Sequence, residues 1–130
     1  MFQFDGQQSI FLSLDDARTR YYSYRQTSDE TIANYLSHFR ALVDVLEHYG
    51  SSLGDDAALV AAISPSVTLA AERTKQARNR TLGMAFLKRA DRRRFGGLWT
   101  DLENQFSRGN DQYPADLTGA YSLLMNYRPV

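Results

Sequence analysis

The feature that most constrains the fold of this chain is a stripe of apolar residues in its first half. These residues recur in steps of three and four: Ile32, Tyr35, Leu36, Phe39, Leu42, Val43, Leu46 and Tyr49. Such steps place the side chains on one face of an α-helix. Thr27 and Glu30 have the spacing of a capping box, and Gly50 follows the stripe where a glycine commonly ends a helix. The sequence therefore predicts an amphipathic helix over residues 28–49.

The rest of the chain predicts further helices and no strand. With three prolines among 130 residues, few positions interrupt a helix. Apolar spacing and capping residues predict helices from about Ser9, over residues 55–63, 66–90 and 91–106, and from Pro114 or Asp116 onward. Pro65 is expected to open the 66–90 helix, and Gly83 to mark a bend or a close approach within it. Gly96 and Gly97 are expected to delay the start of the next helix. We expect an all-α fold, a compact orthogonal bundle of five or six helices.

The apolar faces of these helices define one predicted core. The length suits a single domain, and we expect a flexible N-terminus over residues 1–8 followed by one helical domain over residues 9–130. Tyr21 and Tyr22 are neighbours and cannot both face the core, so one of them is predicted to be exposed. The predicted core contains Ile32, Tyr35, Leu36, Phe39, Leu42, Val43, Leu46, Leu98, Trp99, Leu102, Phe106, Leu117, Tyr121 and Leu124.

The composition argues against catalysis and against a resident cofactor. The chain has no cysteine, which excludes disulfides and thiolate metal sites. Its two histidines, His38 and His48, have few partners in the sequence and are interpreted as surface or helix-capping residues. The sequence contains no nucleophile motif, phosphate-binding loop, signal peptide or membrane-spanning apolar run. We therefore expect an intracellular protein without enzymatic activity, cofactor, metal or small-molecule substrate.

A formal net charge of zero conceals a strong charge pattern along the chain. Residues 1–72 carry four Arg and ten Asp or Glu, a net charge of −6. Residues 73–94 carry nine Arg or Lys and one Asp, a net charge of +8. Residues 95–130 carry two Arg and four Asp or Glu, a net charge of −2. One basic segment between two acidic ones gives the domain a built-in polarity.

The basic segment 73–94 has three interpretations. It can be a solvated helix face paired with the acidic parts of the same domain, which is common on helices. It can contact the phosphates of a nucleic acid, with an affinity that falls as salt rises. It can also meet the acidic face of a neighbouring copy, in a head-to-tail contact of the kind that makes rings.

Several stretches of the chain, taken together, resemble the capsid region of copia-type LTR retrotransposon Gag proteins, particularly those of diatoms and other algae. Residues 22–50 have an Arg-Gln pair, a polar turn and then a helix of the form YL..F..LV..LE, in the sequence YSYRQTSDETIANYLSHFRALVDVLEHYG. The second half is similar at Phe86–Asp91, Leu102–Asn104, Arg108–Asp111, Tyr113–Pro114 and Leu117–Leu124. Taken in order, the similar positions cover residues 10–128.

The resemblance implies a retroviral-capsid-like lobe whose copies self-associate into shells that enclose RNA. The chain would then be a structural protein of cytoplasmic virus-like particles, or the product of a host gene derived from such an element. The family's capsid region is usually larger, with two lobes, and a Cys-His zinc knuckle often follows it. This cysteine-free chain has no such knuckle, so it would correspond to one lobe or a fragment.

The sequence leaves two alternatives to self-association. One is a nucleic-acid-binding helical module that uses segment 73–94, with RNA as a possible partner. The other is a helical adaptor that binds a partner peptide in an apolar groove. Exposed aromatic and basic residues are the predicted contacts with another copy or with nucleic acid, and the candidates are Tyr21, Tyr22, Arg25, Lys88, Arg89, Arg92, Arg93 and Arg94.

Overall fold

Six helices make up the part of the chain that the computed structural model describes, residues 9–129. The prediction of an all-α fold with five or six helices is confirmed, and residues 9–129 contain no strand. The predicted flexible N-terminus, residues 1–8, lies outside the described residues. The helices are α1 (Ile10–Ser23), α2 (Ile32–His48), α3 (Ala57–Ala61), α4 (Ala70–Lys88), α5 (Arg92–Ser107) and α6 (Leu117–Asn126).

Short polar side chains start four of the six helices. The Ser9 side chain accepts a hydrogen bond from the Phe11 amide at the start of α1. The Asp91 and Asp116 side chains each accept from an amide in the first turn of α5 and of α6. At α2 the cap is Thr31, whose hydroxyl accepts from the Asn34 amide at 3.1 Å. Each bond satisfies an amide that has no partner within its own helix. The predicted capping box at residues 27–30 is therefore wrong, and α2 begins at residue 32 rather than 28.

Two glycines end helices, and Gly50 does so as predicted. Gly50 and Gly109 have φ angles of 81° and 86°, a backbone conformation that other residues rarely adopt. Behind them, the amides of Ser51 and Asn110 return to carbonyls of the last turn, at 3.1 Å and 2.9 Å. This geometry closes α2 and α5 with a left-handed glycine.

Two other boundary predictions are wrong. Pro65 does not open α4, because Ser64–Val67 forms a turn with a 3.0 Å bond from the Val67 amide to the Ser64 carbonyl, and α4 starts only at residue 70. Gly96 and Gly97 do not delay α5, which starts at Arg92 directly after its Asp91 cap and continues through both glycines.

The centre of the core is aromatic and joins α2 to α4. The Tyr35 and Phe86 rings stack with centroids 4.3 Å apart, and Phe39 meets Phe86 edge-on at 5.3 Å. The Tyr35 hydroxyl donates a 2.6 Å hydrogen bond to the Phe86 carbonyl, so its polar end is satisfied in a buried position. Phe86 was not among the predicted core residues, because the apolar stripe of α4 is interrupted by polar side chains.

Helix α4 packs closely against the start of α6. A Cβ atom on Gly83 would lie 2.6 Å from the Asp116 carbonyl oxygen, so only glycine fits there. The prediction that Gly83 marks a close approach is confirmed. Phe106 was predicted to be in the core, but its side chain is 55% exposed and contacts the Tyr113 ring, with centroids 5.5 Å apart.

Candidate functional site

The arginines in the first half of the basic segment are used within the fold. The Arg73 guanidinium donates to the carbonyl oxygens of five residues that follow or end α3: Val60, Ala61, Ile63, Ser64 and Val67. Arg78 forms a bidentate pair with Glu47, at 2.7 Å and 2.8 Å. Arg80 lies 3.8 Å from an Asp111 carboxylate oxygen. The arginines in this half of the segment therefore all have partners within the fold.

Arg94 is occupied in the same way at the other end of the segment. Its guanidinium donates to the Asp91 carboxylate at 2.9 Å and to the carbonyls of Thr27 and Glu30 at 2.9 Å and 2.7 Å. These bonds tie the α1–α2 loop to the first turn of α5 and its Asp91 cap. Arg94 was predicted as an intermolecular contact, and the structure assigns it instead to this internal connection.

A buried glutamine completes the same connection. Gln26 is 6% exposed, and its side chain accepts from the Asp91 amide at 2.9 Å and donates to the Glu30 carbonyl at 3.0 Å. The backbone amide of Gln26 donates to the Arg89 carbonyl at 3.0 Å. We call the bonds that Gln26 and Arg94 make to residues 27–30 and 89–91 the loop–junction contact. It fixes the end of α1 relative to the end of α4.

The two adjacent tyrosines at the end of α1 face in different directions. Tyr21 is 1% exposed and packs against Phe39, whereas Tyr22 is 56% exposed. The prediction that one of the pair is exposed is confirmed. Tyr21 was also predicted as an exposed contact, and that is wrong, because it lies on the buried face that Ala17 shares one turn earlier.

Arg89 lies against both tyrosines. Its guanidinium donates a 2.8 Å hydrogen bond to the Tyr21 carbonyl. Its Cζ atom is 4.6 Å from the centroid of the Tyr21 ring and 5.5 Å from that of Tyr22. Cation–π contacts at these distances are attractive. Arg89 therefore positions the Tyr22 ring at the surface, in addition to any contact of its own.

The structure brings four of the predicted site residues together in one groove of about 490 Å³. The ends of α1 and α4 and one residue of α5 form it. We call it the α1–α4–α5 groove, and its lining residues are Tyr22, Arg25, Met84, Ala85, Lys88, Arg89 and Trp99.

Sequence reasoning missed part of this groove. Trp99 was assigned to the core, but its side chain is only partly buried and lines the groove. Met84 and Ala85 were assigned to neither the core nor the site. One signal was available: Trp99 follows Arg92 by seven residues, so the two share a face of α5.

The remaining predicted cations are exposed and have no ion-pair partner within residues 9–129. Arg25, Lys88, Arg92 and Arg93 have exposed side chains, and none of them forms an ion pair with any described residue. Arg25 and Lys88 line the groove. Apart from Lys75 near the start of α4, the cations of the segment whose side chains form neither a hydrogen bond nor an ion pair among the described residues are thus Lys88, Arg92 and Arg93.

A second polar cluster lies on the outer face of α2. The Glu30 carboxylate accepts from the Tyr24 hydroxyl at 2.7 Å and contacts His38 Nδ1 at 2.5 Å. Burial alone would raise the pKa of Glu30, but the hydrogen bonds from Tyr24 and His38 outweigh it and lower that pKa. Burial and the bond to Glu30 raise the pKa of Tyr24. This cluster anchors the α1–α2 loop to α2.

Three consecutive apolar residues are exposed at the start of α1. Ile10, Phe11 and Leu12 are 55%, 85% and 52% exposed. Successive helical residues are about 100° apart, so these side chains extend around most of the helix circumference. Exposed apolar patches of this kind commonly mark interaction surfaces.

Metal and membrane signatures are not seen in residues 9–129. No three His, Asp or Glu side chains of this part of the chain are grouped to hold a metal ion. No helix described there has both the length and the apolar character needed to cross a membrane. Comparison with known protein families, curated proteins and solved structures gives no match.

Proposed function

We propose that this chain is a structural module that works by self-association, as a capsid-like domain of the retrotransposon Gag type. The observation that carries the proposal is the exposed apolar start of α1, where Phe11 is 85% exposed. A side chain of that size gains about 1.5–3 kcal/mol when it is fully buried. A neighbouring copy is the partner that we propose for it.

The sequence around Phe11 explains why its own bundle does not cover this surface. The buried face of α1 is set by Ala17 and Tyr21, with Leu14 partly buried one turn earlier. Residues 10–12 lie beyond that face, and three consecutive positions cannot all point inward. Their burial therefore requires a second surface.

Opposite charges on two neighbouring copies can orient them relative to each other in such a contact. Lys88, Arg92 and Arg93 are unpaired and exposed among the described residues, while residues 1–72 carry a net charge of −6. Opposite charges on different parts of one molecule favour a head-to-tail arrangement, which generates rings or open chains. Individually weak contacts of this kind suit a shell, because many act together.

The test is the mass of the particle in solution. Light scattering after size exclusion, across protein concentration and salt, is expected to show growth beyond the 14.8 kDa monomer, with rings, tubes or shells in negative stain. Phe11→Ser is expected to shift the onset of growth to at least tenfold higher concentration. The matched control is Phe106→Ser, since Phe106 is also an exposed phenylalanine, at 55%. A monomer in every condition would contradict the proposal and favour the adaptor alternative.

Binding of nucleic acid is the second candidate, and the grouping of cations with aromatic side chains in one groove favours it. Most arginines of segment 73–94 have internal partners, so the segment as a whole does not present one basic face. Arg25 and Lys88, which form no ion pair within residues 9–129, instead share a groove with two aromatic side chains, Tyr22 and Trp99. That grouping reduces the candidate nucleic-acid contact surface from a 22-residue segment to one groove.

A further inference from the structure

We propose that the α1–α4–α5 groove is a binding site for single-stranded nucleic acid, in which a base stacks on Tyr22 and phosphates contact Arg25 and Lys88. The inference rests on the second candidate function and is independent of self-association, because it uses a different surface from the start of α1. It rests on an oriented aromatic ring, on unpaired cations beside it, and on a helical glycine that packing does not explain.

The Tyr22 ring is an exposed surface held in a fixed orientation. Tyr21 meets it edge-on, with ring centroids 4.9 Å apart and an interplanar angle of 76°. The Arg89 guanidinium lies 5.5 Å from its centroid and is itself held by the Tyr21 carbonyl. Because the Tyr22 ring is already held in place, less conformational entropy is lost when a base stacks on it. Base–aromatic stacking is one of the two sequence-independent contacts that grooves for single strands combine, and positive charge along the backbone is the other.

The cations at the groove suit a phosphate backbone. Arg25 and Lys88 line it and have no carboxylate partner among residues 9–129. Arg89 also lines it, but its hydrogen bond to Tyr21 leaves it a supporting role. Positive charge next to an aromatic surface is the combination that single-strand grooves use. A duplex hides the faces of its bases, so stacking on Tyr22 favours a single strand.

The surface continues from the groove along one face of α5. Arg92, Gly96 and Trp99 recur at steps of four and three and therefore share that face. A Cβ atom on Gly96 would meet nothing within 4 Å, so close packing does not require glycine there. Gly97 differs, since a Cβ atom on it would clash with the Tyr127 hydroxyl. Glycine at 96 leaves a flat strip between the groove and Arg92, over which a strand can pass.

The only tryptophan of the chain reports on this site. Trp99 lines the groove, so a ligand that enters it is expected to change the intrinsic fluorescence. We would titrate the full chain with ten-nucleotide oligo-dT and oligo-U, at concentrations where light scattering shows a monomer. Two phosphate contacts predict a slope of about −1.4 in log affinity against log salt. Affinity should then fall about 7-fold between 50 mM and 200 mM salt.

Matched variants separate stacking from charge, with anisotropy of a labelled oligonucleotide as the readout. Tyr22→Ala is expected to weaken binding by about 5- to 100-fold, and Tyr22→Phe to retain it. Phe106→Ala removes an equally exposed aromatic side chain elsewhere and should bind as the parent does. Lys88→Gln should reduce the salt slope by about 0.7, whereas the only other lysine, Lys75, lies outside the groove and serves as its control.

Four results would overturn the proposal: no binding at 50 mM salt, equal affinity for a duplex of the same length, full affinity in Tyr22→Ala, or equal displacement by poly-glutamate. The first excludes the site, and the next two mean that charge alone attracts nucleic acid. The last means that the groove takes acidic chains in general. Because Phe11→Ser leaves the groove intact, it should bind oligonucleotide normally even if self-association fails or was never present.

Discussion

The loop–junction contact and the α1–α4–α5 groove lie side by side and draw on the same basic run, residues 88–94. In the loop–junction contact, Arg94 and Gln26 are satisfied by carbonyls and by the Asp91 carboxylate. In the groove, Arg25 and Lys88 have no such partners among the described residues. The difference shows that charge density along the chain does not separate structural from available cations. What separates them is the set of carbonyls that the fold brings to each one.

The two regions are also mechanically related. Arg89 supplies its carbonyl to Gln26 and its guanidinium to the tyrosines beside the groove. The loop–junction contact therefore holds the end of α1, where Tyr22 lies, against the end of α4, where Lys88 lies. Changes to the internal contact should cost stability first, and changes to the groove should cost binding without stability.

The largest effect is expected at Gln26. Gln26→Ala removes two side-chain hydrogen bonds in a buried position and leaves the Asp91 amide without its acceptor. We expect a loss of about 2–4 kcal/mol in the free energy of unfolding, because the unsatisfied Asp91 amide costs about 1–3 kcal/mol and the lost bond to the Glu30 carbonyl about 1 kcal/mol more. Chemical denaturation measures it, with the exposed Gln112→Ala as control. A loss below about 1 kcal/mol in Gln26→Ala would mean that water replaces the contact.

Much of the fold follows from local sequence, and α2 shows why. Its apolar residues keep a regular spacing, and Gly50 ends it as predicted, because both signals are set by neighbouring residues. Its start was misplaced because Thr27 and Glu30 have the right spacing for a cap but use their polar groups differently. Glu30 is taken by Tyr24 and His38, and Thr31 caps the helix.

The groove was predicted only in part, because it depends on how three helices pack against one another. Its residues come from three helices, and the bond that aligns two of them joins Gln26 to Arg89, 63 positions apart. Spacing within one helix gives no information on that alignment. The same limit explains Tyr21, since either tyrosine of the pair could have been the buried one, and the packing of α1 on α2 decides it.

A smaller effect on stability is expected at Arg94, and its neighbour supplies the control. Arg94→Gln removes one ion pair and two bonds to carbonyls, with an expected loss of about 2 kcal/mol given its partial exposure. Arg93→Gln changes the same side chain one position earlier, where it is exposed, and should stay within about 0.5 kcal/mol. Thermal unfolding of the two variants compares them directly. Equal losses would remove the distinction between internal and available cations.

The acid sensitivity of the α1–α2 loop is expected to depend on Glu30. Since the folded-state pKa of Glu30 is lowered from its ordinary 4.5, the ionised form contributes stability at neutral pH. That contribution is lost as pH falls below about 4.5 and through the lower folded-state value. Glu30→Gln should cost about 1–2 kcal/mol at pH 7 and flatten the decline in acid, so the variant and the parent converge. The exposed Glu103→Gln is the control, and parallel curves for Glu30→Gln and the parent would contradict this role.

The smallest effect is expected at Gly96, where stability and binding should move in opposite directions. Gly96→Ala should raise the free energy of unfolding by about 0.5–1 kcal/mol, because alanine favours a helix and the added methyl group meets nothing within 4 Å. Gly97→Ala should gain less or lose stability, since Tyr127 must shift to admit the methyl group. If the strip from Trp99 to Arg92 carries a strand, Gly96→Ala should also bind oligonucleotide more weakly than the parent. Higher stability with unchanged affinity would confine the binding site to the groove itself, and lower stability would mean that Gly96 has a structural role after all.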